Sequence, residues 1–139
     1  MKIVISRTNQ AVHLNAVNER GVSFDMDGSP EIGGEELGMR PMEVLLSSLA
    51  GCSSMDVLSI LKKMREDVQD YQVEITGERD TEQVPSIFNK IHVHFVLKGE
   101  LNIKNVEKAI TLSMEKYCSV SKMLEKSADI THSFEILSL

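Results

Sequence analysis

The chain has 139 residues, of which 42% are apolar and 26% are charged, and its net charge at neutral pH is −6. This length and composition predict one globular domain over residues 1–139 with a buried core, and they exclude a disordered chain. The acidic balance and the 4% aromatic content exclude a general nucleic-acid or anionic-membrane surface. Phosphate binding requires clustered Lys and Arg, and single-strand binding requires stacked aromatic rings.

The first residues bear on the cellular compartment. Residues 1–7 become polar after a short apolar run, so they lack the apolar core of a signal peptide. The chain contains no uninterrupted run of roughly 18 apolar residues, the length that a membrane span needs. We therefore expect a cytoplasmic protein. In that reducing compartment the two cysteines, 66 positions apart, are not expected to form a permanent structural disulfide. They are either inert core thiols or a redox pair.

Strand patterns fill the first part of the chain. Residues 2–7, 11–17 and 22–27 are predicted to be strands, because apolar and polar side chains tend to alternate there. Residues 18–21 are predicted to form a turn. Residues 28–40 contain four glycines and one proline and are predicted to be a loop.

A long helix follows this loop. Pro41 suits the first helical position, and residues 42–64 carry apolar side chains nearly all round the predicted helix. About 23 residues at 1.5 Å each give a length of roughly 35 Å, which is long for so small a domain. A helix this apolar leaves a large patch uncovered in a monomer, so we expect a second subunit to bury it.

The remaining elements alternate strands and helices. Strands are expected at 71–78, 91–97 and 133–137, with helices near 104–116 and 119–127 and an exposed connection at 80–90. Either Asn102 or Asn105 is expected to cap the first of these two helices. The order of elements predicts an α+β domain with antiparallel sheet.

Cys52 lies in the middle of the long predicted helix. A cysteine among apolar helical residues is most often a packing residue. Gly51 and the serines at 53 and 54 favour a different interpretation, because small residues allow another backbone or a ligand to approach closely. Both interpretations stay open on sequence alone.

Cys118 is placed at the start of a helix, between Lys116 and Lys122. Free amide groups and cationic neighbours favour the thiolate at such a position, so the residues indicate Cys118 as the thiol of lower pKa. The alternative is an incidental buried cysteine. The joint hypothesis is that the two thiols meet in the fold, which requires Cα atoms within roughly 7 Å for a disulfide.

The histidines give a weaker signal. His92 and His94 point to the same strand face and are a possible metal pair, but no third ligand is near in sequence. His13 and His132 are single, and two distant cysteines alone do not make a zinc site. The glycines at 33 and 34 lack the spacing of a phosphate-binding loop. We therefore expect neither a metal nor a cofactor.

Two motifs carry a resemblance to a known family. The segment from Arg40 to Leu46 leading to Ala50-Gly51-Cys52 resembles the first-cysteine helix of the OsmC/Ohr family, and the segment 117–122 around Cys118 resembles its second-cysteine motif. The loop at 30–34, the separation of the cysteines and the order of elements agree as well. The resemblance covers essentially the whole chain.

The resemblance implies both a fold and an activity. The fold is an α+β intertwined homodimer with long, buried central helices and active sites at the subunit interface. The activity is reduction of organic hydroperoxides, in some members also hydrogen peroxide, in oxidative or osmotic stress defence. By similarity Cys52 is the peroxidatic thiol and Cys118 the resolving thiol, which reverses the order of reactivity inferred from the residues alone. The implied partners are a small-molecule oxidant, an external thiol reductant and a second copy of the chain.

The chain departs from the family pattern near the start of the long helix. The family activates its first cysteine with an Arg–Glu pair whose Glu lies ten positions before that cysteine, where this chain has Met42. Glu43 lies nine positions before Cys52, about 900° around a regular helix and hence on the opposite face. Arg40 and Arg20 are the substitutes for the Arg. The catalytic candidates are therefore Cys52, Cys118, Glu43 and Arg40.

These departures indicate an OsmC-like branch rather than a standard Ohr protein. The leading hypothesis is a cysteine-based hydroperoxide reductase. The alternatives are a binding or sensing module of the same fold with reactive thiols but no efficient turnover, and a structural domain with two inert thiols.

Overall fold

A computed structural model describes residues 1–138 of the chain. Contacts divide the chain into two units, Met1–Leu45 and a second that begins at Leu46. Each unit contains one three-stranded sheet. The single-domain organisation expected from the length stays a prediction.

The first unit is an antiparallel sheet in the order β1-β2-β3. It comprises β1 (Ile3–Arg7), β2 (Leu14–Asn18) and β3 (Ser23–Met26). All three strands were predicted, but β2 begins three residues later than expected. The reason is local: the Asn9 side-chain oxygen accepts the backbone N–H groups of Ala11 (2.9 Å) and His13 (3.2 Å), which holds this segment in a turn.

Asp27 organises the loop that follows β3. Its side chain is buried, and its carboxylate accepts backbone N–H groups of Gly28 (2.8 Å), Glu35 (3.0 Å) and Leu37 (3.1 Å). The hydrogen bond from Leu37 is the main cause that lowers the pKa of Asp27, with smaller contributions from the other two and an opposing effect of burial. The loop is therefore built around an ionised carboxylate.

This arrangement predicts a pH-dependent stability. The folded pKa of Asp27 lies below its unfolded value, so its contribution is present above pH 3.8 and is lost as pH falls through the folded pKa. We expect Asp27→Asn to lower the Tm at pH 7 and to flatten the loss of Tm in acid. Thermal melts at pH 7, 5 and 3 would measure both. Glu35→Gln, which leaves the backbone donors intact, is the control, and equal melts for the two variants would contradict this role.

Helix α1 (Pro41–Lys63) has the predicted length and begins at the predicted proline. Its buried residues follow one stripe at four-residue spacing: Leu49, Ser53, Val57 and Leu61. Met55 is 75% exposed. One chain therefore covers only one stripe of the helix, and burial of the rest by a second subunit stays a prediction. With 23 residues and a mean hydropathy of 1.7, α1 is long and apolar enough to cross a membrane, a property that core helices of soluble proteins share.

The sheet of the second unit is mixed, with the order β4-β5-β6. Strands β4 (Asp70–Arg79) and β5 (Phe88–Lys98) are antiparallel, whereas β5 and β6 (Asp129–Leu137) are parallel, with Ile91 opposite Ile130. The expectation of antiparallel sheet throughout is therefore wrong here. Two helices intervene between β5 and β6, and such a crossover lets the chain re-enter the sheet in the same direction.

Helix α2 (Ile103–Leu112) is capped by Asn102, whose side chain accepts the Lys104 N–H. A π turn at Ser113–Tyr117 follows, and helix α3 covers Ser119–Leu124. The helix predicted at 104–116 is therefore α-helical only as far as Leu112 and continues as the π turn. The core of this unit consists mainly of apolar side chains from α1, β5 and α2: Leu49, Val57, Leu61, Ile91, Val93, Phe95, Leu97, Val106, Ala109 and Ile110.

Candidate active site

Cys52 lies at the middle of α1 and is partly exposed. The two serines that follow it return their hydroxyls to their own helix. The Ser53 hydroxyl donates to the Leu49 carbonyl at 3.0 Å, and the Ser54 hydroxyl donates to the Ala50 carbonyl at 2.6 Å. Both serines are thereby satisfied locally, which leaves the thiol as the reactive group of this turn.

Cys118 lies where the π turn ends and α3 begins. Its backbone N–H donates to the Ser113 carbonyl at 2.8 Å, and its extended conformation ends the helical run. Its sulfur then accepts the Ser121 N–H at 3.4 Å, the position of an N-cap side chain. The thiol is fully buried. π turns are frequent at functional sites, and this one sets where the second thiol lies.

The two thiols meet. The Sγ atoms of Cys52 and Cys118 and a carboxylate oxygen of Asp56 all lie within 4.8 Å of one another. The hypothesis that the cysteines come together is confirmed by this geometry. Their assignment as peroxidatic and resolving thiols stays a prediction.

Asp56 and Ser113 complete the cluster, and neither was predicted from the sequence. Asp56 is one helical turn after Cys52, so its position on the same face of α1 was available from the spacing. The Ser113 hydroxyl lies 3.2 Å from both the Asp56 Oδ2 and the Ser53 carbonyl, and it is buried. No sequence signal links Ser113 to a helix about sixty positions earlier.

Burial governs the acidity of Cys118. Desolvation raises the pKa of its thiol to about 11, the neighbouring Cys52 adds to the rise, and the N–H groups of Ser121 and Val120 oppose it. The expectation that its place at a helix start favours the thiolate of Cys118 is therefore wrong. Two amide donors do not offset the loss of solvent around a fully buried thiol.

Two side-chain clusters contain residues of the types that bind metal ions. His92 contacts the hydroxyls of Thr131 (2.7 Å) and Ser133 (2.8 Å), and His94 contacts Ser133 (2.8 Å) and Glu135 (3.5 Å). The ring nitrogens of both histidines therefore contact polar side chains of β6. Among residues 1–138, the three-donor group close enough to hold one ion is instead Cys52, Asp56 and Cys118.

Arg40 and Glu43 lie at the start of α1. The Arg40 backbone N–H donates to Glu43 Oε2 at 2.8 Å, which caps the helix. The Arg40 guanidinium lies 3.9 Å from the Glu36 carboxylate, and both side chains are largely exposed. Both residues belong to the first unit, and the thiols belong to the second. An activating role for this pair stays a prediction.

Comparison with known proteins places the chain in a family. A family model described as OsmC-like protein matches residues 33–133. The chain belongs to the OsmC-like family. Protein YhfA of Escherichia coli K12 is 48% identical over 99 residues, which cover 70% of this chain and 73% of that protein.

Solved structures extend the likeness of this OsmC-like chain to its full length. A hypothetical protein from Aquifex aeolicus VF5 matches with a TM-score of 0.85 at 33% identity over 99% of this chain and 96% of that one. An organic hydroperoxide resistance protein OsmC from Legionella pneumophila matches with a TM-score of 0.70 at 15% identity over 97% of both chains. The second likeness shows the fold alone, and it confirms the predicted α+β OsmC-like architecture.

Proposed function

We propose that this OsmC-like chain is a thiol-dependent hydroperoxide reductase in which Cys52 is the peroxidatic thiol and Cys118 the resolving thiol. The observation that carries the proposal is the pair of sulfurs within 4.8 Å, one partly exposed and one fully buried. The hydroperoxide resistance named for the Legionella pneumophila fold neighbour supports the same reaction class. A cytoplasmic role in oxidative or osmotic stress defence is part of the proposal.

The reaction has three balanced steps. The Cys52 thiolate attacks the O–O bond of ROOH, becomes a sulfenic acid and releases an alkoxide that takes up a proton to give ROH. The Cys118 thiol then displaces the hydroxyl of the sulfenic acid, which forms the Cys52–Cys118 disulfide and releases water. An external dithiol reduces this disulfide by exchange and becomes a disulfide itself.

The difference in solvent exposure supports Cys52 as the thiol that reacts with peroxide first and Cys118 as the thiol that reacts second. A peroxide from solvent can reach the partly exposed Cys52, whereas the Cys118 sulfur is fully buried. Disulfide formation then requires the sulfurs to close from at most 4.8 Å to about 2.05 Å, a movement within the range of side-chain rotation.

The roles of Arg40 and Glu43 belong to this proposal as well. We propose that they assist Cys52 in place of the family's Arg–Glu pair; the support is the resemblance of the segment from Arg40 to Leu46 to the family's first-cysteine helix. If so, Arg40→Ala and Glu43→Ala lower the rate of sulfenic acid formation and leave disulfide formation unchanged.

Steady-state assays test the function. Peroxide consumption with cumene hydroperoxide and with hydrogen peroxide would be measured with a lipoyl-type dithiol as reductant. We expect consumption well above that of the dithiol alone, and greater for the organic substrate. Consumption no faster than that of a free thiol would contradict the proposal.

A homodimer is the expected assembly. In one chain, Met55 (75% exposed) and Leu58 (38% exposed) leave part of α1 apolar and uncovered, a surface that a second copy would bury. Light scattering should give about twice the chain mass of 15.5 kDa at micromolar concentration. Met55→Asp should shift the mass toward the monomer. Val84→Asp, at a 98% exposed position in the β4–β5 connection, is the control, and a wild-type monomer would contradict the assembly.

One observation favours a second function, a binding or sensing module without efficient turnover. The groups that shift the pKa of Cys118 include no cationic side chain, and a carboxylate lies beside the thiols instead. A buried resolving thiol with a carboxylate instead of a cation beside it is poorly activated, which slows turnover. Rapid reaction with an alkylating reagent together with peroxide consumption at the rate of free thiol would favour this second function.

A further inference from the structure

The thiol cluster has the donor set of a metal site. Cys52 and Asp56 come from successive turns of α1, and Cys118 comes from the end of the π turn. Their donor atoms lie within 4.8 Å of one another. In a tetrahedral zinc site, donors at 2.0–2.3 Å from the ion are about 3.5–3.8 Å apart. A contraction of about 1 Å would bring all three onto one ion.

The negative charge of the cluster favours the binding of a cation. Within residues 1–138, Asp56 forms no ion pair with a Lys or Arg, and its carboxylate accepts only the Ser113 hydroxyl. Two thiolates beside this carboxylate would carry a charge of −3. A divalent ion would replace both thiol protons and leave the cluster with a net charge of −1.

The donors also select the class of ion. Two sulfurs and one carboxylate oxygen favour Zn²⁺ and similar thiophilic ions over Mg²⁺ or Ca²⁺, which prefer oxygen ligands only. The buried Ser113 hydroxyl orients Asp56, as outer hydrogen bonds orient ligands in metal sites. Three protein ligands leave a fourth position, and Cys52 gives the cluster access to solvent.

We propose that Cys52, Asp56 and Cys118 of the reduced chain bind one thiophilic divalent cation of the Zn²⁺ class. Binding releases the thiol protons and forms two metal–sulfur bonds and one metal–oxygen bond. The Cys52–Cys118 disulfide removes both sulfur ligands, so cation binding and disulfide formation exclude each other. This site was not predicted from the sequence, because the third donor, Asp56, is not part of a cysteine or histidine motif.

Titration of the reduced, chelator-washed full chain under anaerobic conditions tests the site. Co²⁺ is the spectroscopic probe, and Zn²⁺ is added afterwards to displace it. We expect one equivalent of Co²⁺ with the absorption of a tetrahedral thiolate complex, complete displacement by Zn²⁺, and no tight binding to the disulfide form. The apparent affinity should rise with pH, because the ion competes with thiol protons.

Matched variants separate this site from chance binding. Cys52→Ser and Cys118→Ser should lose the thiolate spectrum of the pair, and Asp56→Asn should weaken Zn²⁺ binding by at least about tenfold. Asp129→Asn removes the same charge from an exposed position on β6 and should bind like the wild type. Circular dichroism checks that each variant folds. Equal affinities for Asp56→Asn and wild type, or undiminished binding by the disulfide form, would overturn the proposal. No hydroperoxide is used, so failure here leaves the peroxidase proposal intact.

Discussion

Replacement of Cys52 by serine is expected to abolish hydroperoxide turnover, with a loss of at least about a thousandfold. The serine hydroxyl is a far weaker nucleophile than a thiolate. Cys118 cannot substitute, because it is fully buried and burial raises its pKa to about 11. The measurement is consumption of cumene hydroperoxide by the reduced, metal-free variant.

Replacement of Cys118 by serine should have a different signature. Cys52 still attacks the hydroperoxide, so one equivalent is consumed and a sulfenic acid accumulates, which a dione reagent traps for mass spectrometry. Turnover then stops for lack of a resolving thiol. Ser54→Ala is the matched control, since its hydroxyl bonds the Ala50 carbonyl and Tyr71 and its replacement removes neither thiol. Full turnover by Cys118→Ser would contradict the two-cysteine mechanism, and a single-equivalent reaction by Cys52→Ser would reverse the assigned roles.

The rate of the disulfide-forming step is expected to depend steeply on pH. A thiol with a pKa of about 11 is ionised in only about one molecule in 10⁴ at pH 7. Attack by Cys118 should therefore accelerate by about tenfold per pH unit as long as the pH stays below the pKa of Cys118. Between pH 7 and 9 the expected increase is about a hundredfold.

This step can be measured without any peroxide. An aromatic disulfide reagent forms a mixed disulfide on Cys52, and attack by Cys118 then releases a second coloured thiol. Stopped-flow recording of that second release, with a chelator present, gives the rate at each pH. Cys118→Ser is the control and should show the first release alone. A rate that stays flat between pH 6 and 9 would contradict this expectation, because it requires a Cys118 thiol that is already ionised at about pH 6.

The sequence predicted the elements better than their pairing. Alternation identified β1, β3 and β4 to within about two residues, and Pro41 located the start of α1. The parallel pairing of β6 with β5 was missed, because alternation reports a buried face and not the direction of a neighbour. The apolar content of α1 indicated a surface that one chain leaves uncovered, as at Met55, but it does not say which residues a second chain would bury.

The site shows the same division between local and distant information. Cys52 and Cys118 were found through motifs and local context, and Asp56 could have been found by helical spacing. The pKa of Cys118 was misjudged, because a helix start is visible in sequence whereas the burial of a thiol depends on the whole unit. Ser113 is placed beside Asp56 by the π turn, which no residue pattern predicted.

In the proposed mechanism the two neighbouring thiols form a redox pair that hydroperoxide oxidises. The most direct measurement is titration of the reduced, metal-free protein with cumene hydroperoxide, followed by thiol counting and peptide mapping by mass spectrometry. We expect both thiols to disappear together near one equivalent per chain, with Cys52 and Cys118 joined in one disulfide. Slow loss of thiols, or over-oxidation of Cys52 without that disulfide, would contradict this mechanism.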